Sequence, residues 1–91
     1  MWMAKIKCPK CLQIHLCVLK EGSRPQGDDI YTGHCPGYFM PFYIPGGYEI
    51  VHNFKEDRDE KVEIQWQKID ELPKEDYVEI KKWSPLRVVS T

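Results

Sequence analysis

The chain has 91 residues, with 13 Lys/Arg against 14 Asp/Glu and a formal charge of −1. That length allows one small domain, whose modest core would leave a metal staple a meaningful share of the stability. The near-neutral charge argues against electrostatic capture of nucleic acid by the whole surface, and no apolar run reaches the length of a membrane span.

The charge is uneven. Residues 1–48 hold five Lys/Arg against three Asp/Glu (+2), and residues 49–91 hold eight against eleven (−3). Met1-Trp2-Met3-Ala4-Lys5 opens no apolar run of the kind an export signal needs. The expected location is therefore the cytoplasm, where thiols stay reduced.

Residues 4–7 read as a short strand leading into Cys8-Pro9-Lys10-Cys11, a tight turn that aims two sulfurs at one spot. Residues 13–19 alternate as a strand, with Ile14, Leu16 and Val18 on one side and His15, Cys17 and Leu19 on the other. Residues 21–28 carry two Gly and one Pro among polar neighbours and form a loop. Residues 29–35 return as a second strand, making a first hairpin with a cysteine turn at each end.

The next segment, Tyr38-Phe39-Met40-Pro41-Phe42-Tyr43-Ile44, is strongly aromatic. Pro41 cannot donate to a sheet, so the segment is an edge strand or irregular. Pro45-Gly46-Gly47 signals a turn, with residues 48–54 as the return strand of a second hairpin. Residues 55–60 are almost wholly charged and must be solvated.

In residues 61–69, Val62, Ile64 and Trp66 alternate as in a strand. Val62, Trp66, Ile69 and Leu72 also fit a helix, but the β-branched content favours the strand. Leu72-Pro73 breaks either element. For residues 77–83, Pro73, Glu75 and Asp76 early and Lys81 and Lys82 late suit a helix dipole. Tyr77, Val78, Ile80 and Trp83 suit a half-buried strand, which is preferred. Ser84-Pro85 ends it, and residues 87–91 read as a loose or edge-paired tail. The expected fold is a small, mostly β domain spanning residues 1–91, with one short C-terminal helix as the variant.

Four cysteines in a reduced compartment point to metal, and a structural Zn2+ takes four ligands from Cys and His. Cys8 and Cys11 are the first pair, and Cys35, inside Gly33-His34-Cys35-Pro36-Gly37, is the third. For the fourth place the ranking is His34, His15, Cys17, His52. His34 adjoins Cys35, but neighbours on a strand face opposite ways, so a kink at Gly33 or Pro36 would be needed. His15 lies four residues past Cys11. Cys17 sits mid-strand, where a thiol is more often an apolar filler. His52 is most simply a strand histidine. The other readings are buried thiols without metal, or a redox pair. The redox pair needs a helix opening after Cys11, and none is expected.

Residues 5–38 resemble the zinc ribbons of small phage and bacterial proteins, in which a CPxC turn is followed by a His and a CPG-type turn. Here Cys8-Pro9-Lys10-Cys11, His34 and Cys35-Pro36-Gly37 carry the resemblance, over about a third of the chain. It implies a ribbon at residues 1–37 and a structural or adaptor role toward proteins or nucleic acids; residues 38–91, which the resemblance does not cover, read from their own composition as an acidic, aromatic-led β extension. Tyr38 stands where such a ribbon usually has its fourth Cys.

Tyr38, Phe39, Phe42 and Tyr43 are candidate partner-binding residues, since Tyr, Phe and Met concentrate at interface cores. The competing reading makes these aromatics the core between ribbon and extension, joined by Trp66 and Trp83. Exposed, they could also stack on single-stranded bases beside Lys5, Lys7, Lys10, Lys20 and Arg24. The acidic residues 55–63 and 70–76 are solvated turns, or a surface for a basic protein. No nucleophile elbow, P-loop or dinucleotide fingerprint occurs, so no enzyme is expected. The expected function is a non-catalytic, zinc-stabilised module that binds a protein, of the size and charge of a phage or bacterial regulator of a larger host complex. The competing classes are a nucleic-acid-binding ribbon and a CxxC thiol redox protein.

Overall fold

The computed structural model describes residues 1–84; the tail expected at residues 87–91 lies outside them. The elements are β1 (Trp2–Lys7), β2 (Ile14–Leu19), β3 (Ile30–Cys35), β4 (Met40–Pro45), β5 (Tyr48–Asn53), β6 (Arg58–Glu63), β7 (Gln67–Lys68) and β8 (Val78–Lys82). The fold is mostly β, and no helix occurs among the described residues. Consequently none is long and apolar enough to cross a membrane.

Six strands form one sheet in the order β4-β3-β8-β2-β1-β7, and β5 and β6 form a separate two-stranded arm. β1 and β2 are a hairpin closed at Lys7↔Ile14, with the Cys8–Cys11 turn at its tip. β3 and β4 are a second hairpin, closed at Cys35↔Met40. β8 lies between them, parallel to β2 through Cys17↔Val78 and antiparallel to β3 through Tyr31↔Lys82.

This corrects two expected pairings. β2 and β3 were expected to face each other, but β8 separates them. The eight residues 21–28 do not force a tight return, and Val78 and Ile80 are apolar and β-branched enough to fill the centre of a sheet. β4 and β5 were expected to pair across Gly46-Gly47. Instead Gly46 N–H donates to Asp29 O (2.8 Å) and Gly47 N–H to Gly27 O (3.0 Å), which turns the chain out of the main sheet. A Cβ on Gly46 would stand 2.5 Å from the Tyr31 ring, and one on Gly47 would collide with the Gly27 backbone. The glycines serve close packing here, and the chain then leaves to build the arm.

The strand reading of residues 77–83 holds as β8, whereas that of residues 61–69 holds only at its two ends, in β6 and β7, because residues 64–66 lie in no strand. β6 begins at Arg58, inside the stretch expected as a solvated turn. Its side chains are nearly all exposed, so charge and extended backbone coexist.

The register sorts the sheet into two faces. Ala4 and Ile6, Cys17 and Leu19, Val78 and Ile80, Tyr31 and Cys35, and Phe42 and Ile44 all point inward and are buried. Ile64 and Trp66, arriving from the arm, complete this core, and the Trp66 indole N–H donates to Gly46 O at 2.7 Å. Phe42, expected as a partner contact, is 1 % exposed and belongs to the core. Tyr38, Phe39 and Tyr43 are exposed, and Trp83, expected in the core, is partly exposed with its ring edge-on to Tyr43 at 5.7 Å.

The outer edge of β4 is closed to strand addition. The Gly46–Asp29 bond sets the phase, so residues 40, 42 and 44 bond inward to β3 and residues 41, 43 and 45 face outward. Two of those three are proline, which leaves Tyr43 as the single N–H on that edge.

Candidate metal centre

The tips of the two hairpins meet. Cys8 and Cys11 come from the first turn, Cys35 from the end of β3 and His15 from β2; their ligand atoms all lie within 4.8 Å of one another. Cys11 Sγ is 3.2 Å and Cys35 Sγ 3.8 Å from His15 Nε2. A tetrahedral ion with Zn–S of about 2.3 Å and Zn–N of about 2.0 Å spaces its donors by about 3.5–3.8 Å. The four atoms are therefore spaced near what one tetrahedral ion requires. All four cysteines are free thiols.

The two turns have the same backbone. Leu12 N–H donates to Cys8 O (2.9 Å), and Phe39 N–H donates to Cys35 O (2.7 Å). Leu12 and Phe39 both have positive φ, 64° and 56°. Cys8-Pro9-Lys10-Cys11-Leu12 thus superposes in role on Cys35-Pro36-Gly37-Tyr38-Phe39, with Tyr38 in the place of Cys11. Tyr38 is exposed, and His15 supplies the fourth donor from the adjoining strand.

Parity decides between the histidines. On β3, Gly33 and Cys35 face inward, so His34 faces outward opposite Pro41 and is exposed. No kink at Gly33 or Pro36 rescues it, and His34, ranked first for the fourth place, is not among the four. His15, ranked second, is on the inward face of β2 with Cys17 and reaches the sulfurs. The useful signal was the pairing of the Cys11–His15 spacing with the strand phase set by Cys17 and Leu19.

The backbone around the sulfurs favours thiolates. Lys10 N–H reaches Cys8 Sγ at 3.3 Å. Burial pushes the Cys35 thiol up, but hydrogen bonds from the His15 ring and from the N–H groups of Tyr38 and Gly37 outweigh it and bring it down to about 6. Cys11 moves the other way: the Gln13 N–H lowers it, while burial and the neighbouring sulfurs of Cys35 and Cys8 raise it further. Several thiolates this close repel one another, and a divalent cation at their centre would remove that repulsion.

Cys17 is a different kind of thiol. Burial, reinforced by Cys8 and Glu49, pushes it up to about 12, and it is 1 % exposed. It fills core volume two residues beyond His15. His52 lies on the arm, between Asp59 (2.9 Å) and Asp57 (3.4 Å), with Phe54 edge-on at 4.7 Å. The arm is not part of the cluster. After Cys11 the chain enters β2 directly, so the first cysteine pair does not cap a helix.

No protein-family model matches the chain, and no curated protein and no solved structure is significantly similar to it.

Proposed function

We propose that the chain is a non-catalytic binding module whose two hairpin tips are held by one structural Zn2+, as in the zinc ribbons it resembles, and that its partner is a protein. The observation that carries this reading is the convergence of Cys8, Cys11, His15 and Cys35, from two hairpins far apart in sequence, within 4.8 Å. Three sulfurs and one imidazole nitrogen are a donor set suited to zinc in a closed site, with no position left for a substrate. The redox alternative lacks the helix N-terminus that would activate its nucleophile.

A protein partner is favoured by what stands next to the site. Leu12 and Phe39 are 64 % and 83 % exposed and occupy left-handed backbone, where glycine would be cheaper. Large apolar side chains kept in solvent at a strained position suggest a contact they make elsewhere. Elemental analysis of the purified chain tests the metal reading: one zinc per chain is expected, lost in Cys8→Ser and His15→Ala and retained in His34→Ala. A metal-free, folded wild-type protein would sink it.

A second reading rests on the outer face of β4, β3 and β8, where exposed Tyr43 and Trp83 stand beside Lys81 and His34. Single-stranded nucleic acid could stack there. A gel shift at two salt concentrations decides it, since phosphate contacts demand a steep loss of affinity with salt.

A further inference from the structure

The free strand edges of the molecule are not alike. β4 is blunted by two prolines, and β7, at the other margin of the main sheet, is two residues long. The Lys7 N–H, on the open side of β1, is taken by the Glu49 carboxylate at 2.9 Å. The arm has two further edges, and they differ in kind. Five of the six residues of β6 are charged, whereas β5 carries Glu49 as its one Asp, Glu, Lys or Arg. The bond from Ile64 N–H to Gly47 O (3.1 Å) sets the phase of this ladder. Residues 49, 51 and 53 bond to β6, and residues 48, 50 and 52 turn their N–H and C=O groups outward. Among the described residues β5 pairs with β6 alone. Ile50 and Val51 are 57 % and 47 % exposed, on a two-stranded ribbon of a kind that is marginal in water by itself. The charged edge of β6 discourages a further strand, and the edge of β5 carries no such guard.

We propose that β5 of one copy pairs antiparallel with β5 of a second copy, about a two-fold axis at Val51, joining two arms into one four-stranded sheet. The occupant is argued from the order of residues along the strand. In that register Val51 meets Val51, Ile50 meets His52, Tyr48 meets Phe54 and Glu49 meets Asn53, so no charge opposes a like charge across the joint. The outward groups match as well, because Ile50 and His52 are both in the outward phase and exchange N–H···O=C bonds in both directions. The charges of β6 fall on the two outer strands of the joined sheet, away from the joint. The same edge serves on both sides, and each arm has one such edge, so association closes at two copies. Two six-residue edges make a joint smaller than the about 1,600 Å² of a standard interface, which sets the expectation of a weak dimer.

Sedimentation equilibrium of the zinc-replete full chain, with amide exchange followed by NMR on the same samples, tests the pairing. A monomer–dimer equilibrium with a Kd between about 1 μM and 1 mM is expected. The amides of Ile50 and His52 should gain protection as concentration rises, and those of Asp59 and Lys61, outward on the other edge of the arm, should not. Ile50→Pro removes an outward donor and spares the β5–β6 bonds. It should weaken the dimer by about tenfold or more, since symmetry removes two bonds. Val51→Lys, at a half-exposed site, sets two like charges face to face and should weaken it by about fivefold or more with circular dichroism unchanged. If one variant loses its fold, the other and the exchange pattern decide. A wild-type chain that stays monomeric to millimolar concentration overturns the pairing. So does a dimer that protects other amides in place of Ile50 and His52, or one indifferent to the folded variants. Self-pairing goes beyond the metal reading and does not depend on it, and metal content measured on the same fractions separates the two. A zinc-bearing monomer overturns the self-pairing alone, and a metal-free chain overturns the metal reading whatever its mass.

Discussion

At the scale of single residues, two kinds of aromatic side chain must be separated. Phe42 is 1 % exposed in the core and Phe39 is 83 % exposed on the second metal turn, although only three positions separate them. Phe42→Ala should therefore cost about 3–5 kcal/mol in a denaturant titration. Phe39→Gly should leave stability unchanged or raise it by up to about 1 kcal/mol, because relief of the left-handed backbone offsets the added freedom of the unfolded chain. A large loss in Phe39→Gly would mean that the ring packs where it is now exposed. The thiols make a second residue-scale prediction. Cys35 is held down to about 6 in the folded chain, so any stability it lends the metal-free state is complete above its ordinary value of 9.0 and lost as pH falls through about 6. Metal binding releases protons from thiols, so its affinity has the same sign and falls with pH. Metal content followed by a chromogenic chelator should hold in mildly alkaline buffer and drop as pH passes below about 6.

Among the elements, β8 joins the molecule together. It contributes Val78 and Ile80 to the core and bonds to a strand of each hairpin that carries the Cys/His cluster. Ile80→Ala should cost about 2–5 kcal/mol and weaken metal binding as well, since the two turns are held in register through β8. The Gly46-Gly47 corner acts at the same scale. Gly47→Ala forces the Gly27 backbone to move, and a loss of about 1–3 kcal/mol is expected in thermal unfolding. The β5–β6 arm is the opposite case. Its side chains are largely exposed and it pairs only with itself, so its amides should exchange with solvent well before those of β8. Hydrogen exchange read by mass spectrometry checks that order.

For the whole molecule, the proposed metal and the core would divide the work of holding two hairpins side by side. The core joins them along β8, and the proposed ion joins them at their tips. Chelation of the zinc-loaded protein should therefore melt the two turns first, and the temperature midpoint should fall with it. A chain whose midpoint is indifferent to chelator would assign the whole task to the core. Much of this was legible in the residues. Alternation of apolar positions found the strands, and Cys8, Cys11 and Cys35 were named from spacing, because strand period and turn chemistry are local properties of a chain. Strand partners were not legible. A hydrophobic stripe states which face is buried but not which strand lies beside it, so β8 between β2 and β3, and β5 with β6, appeared only in three dimensions. The fourth donor belongs to the same class. His34 and His15 are both near a cysteine in sequence, and only the phase of β3 and β2 in the assembled sheet turns one outward and the other onto the sulfurs. Local chemistry in the sequence determined the strands and three of the four clustered donor residues, whereas long-range packing decided the strands' neighbours and the fourth donor.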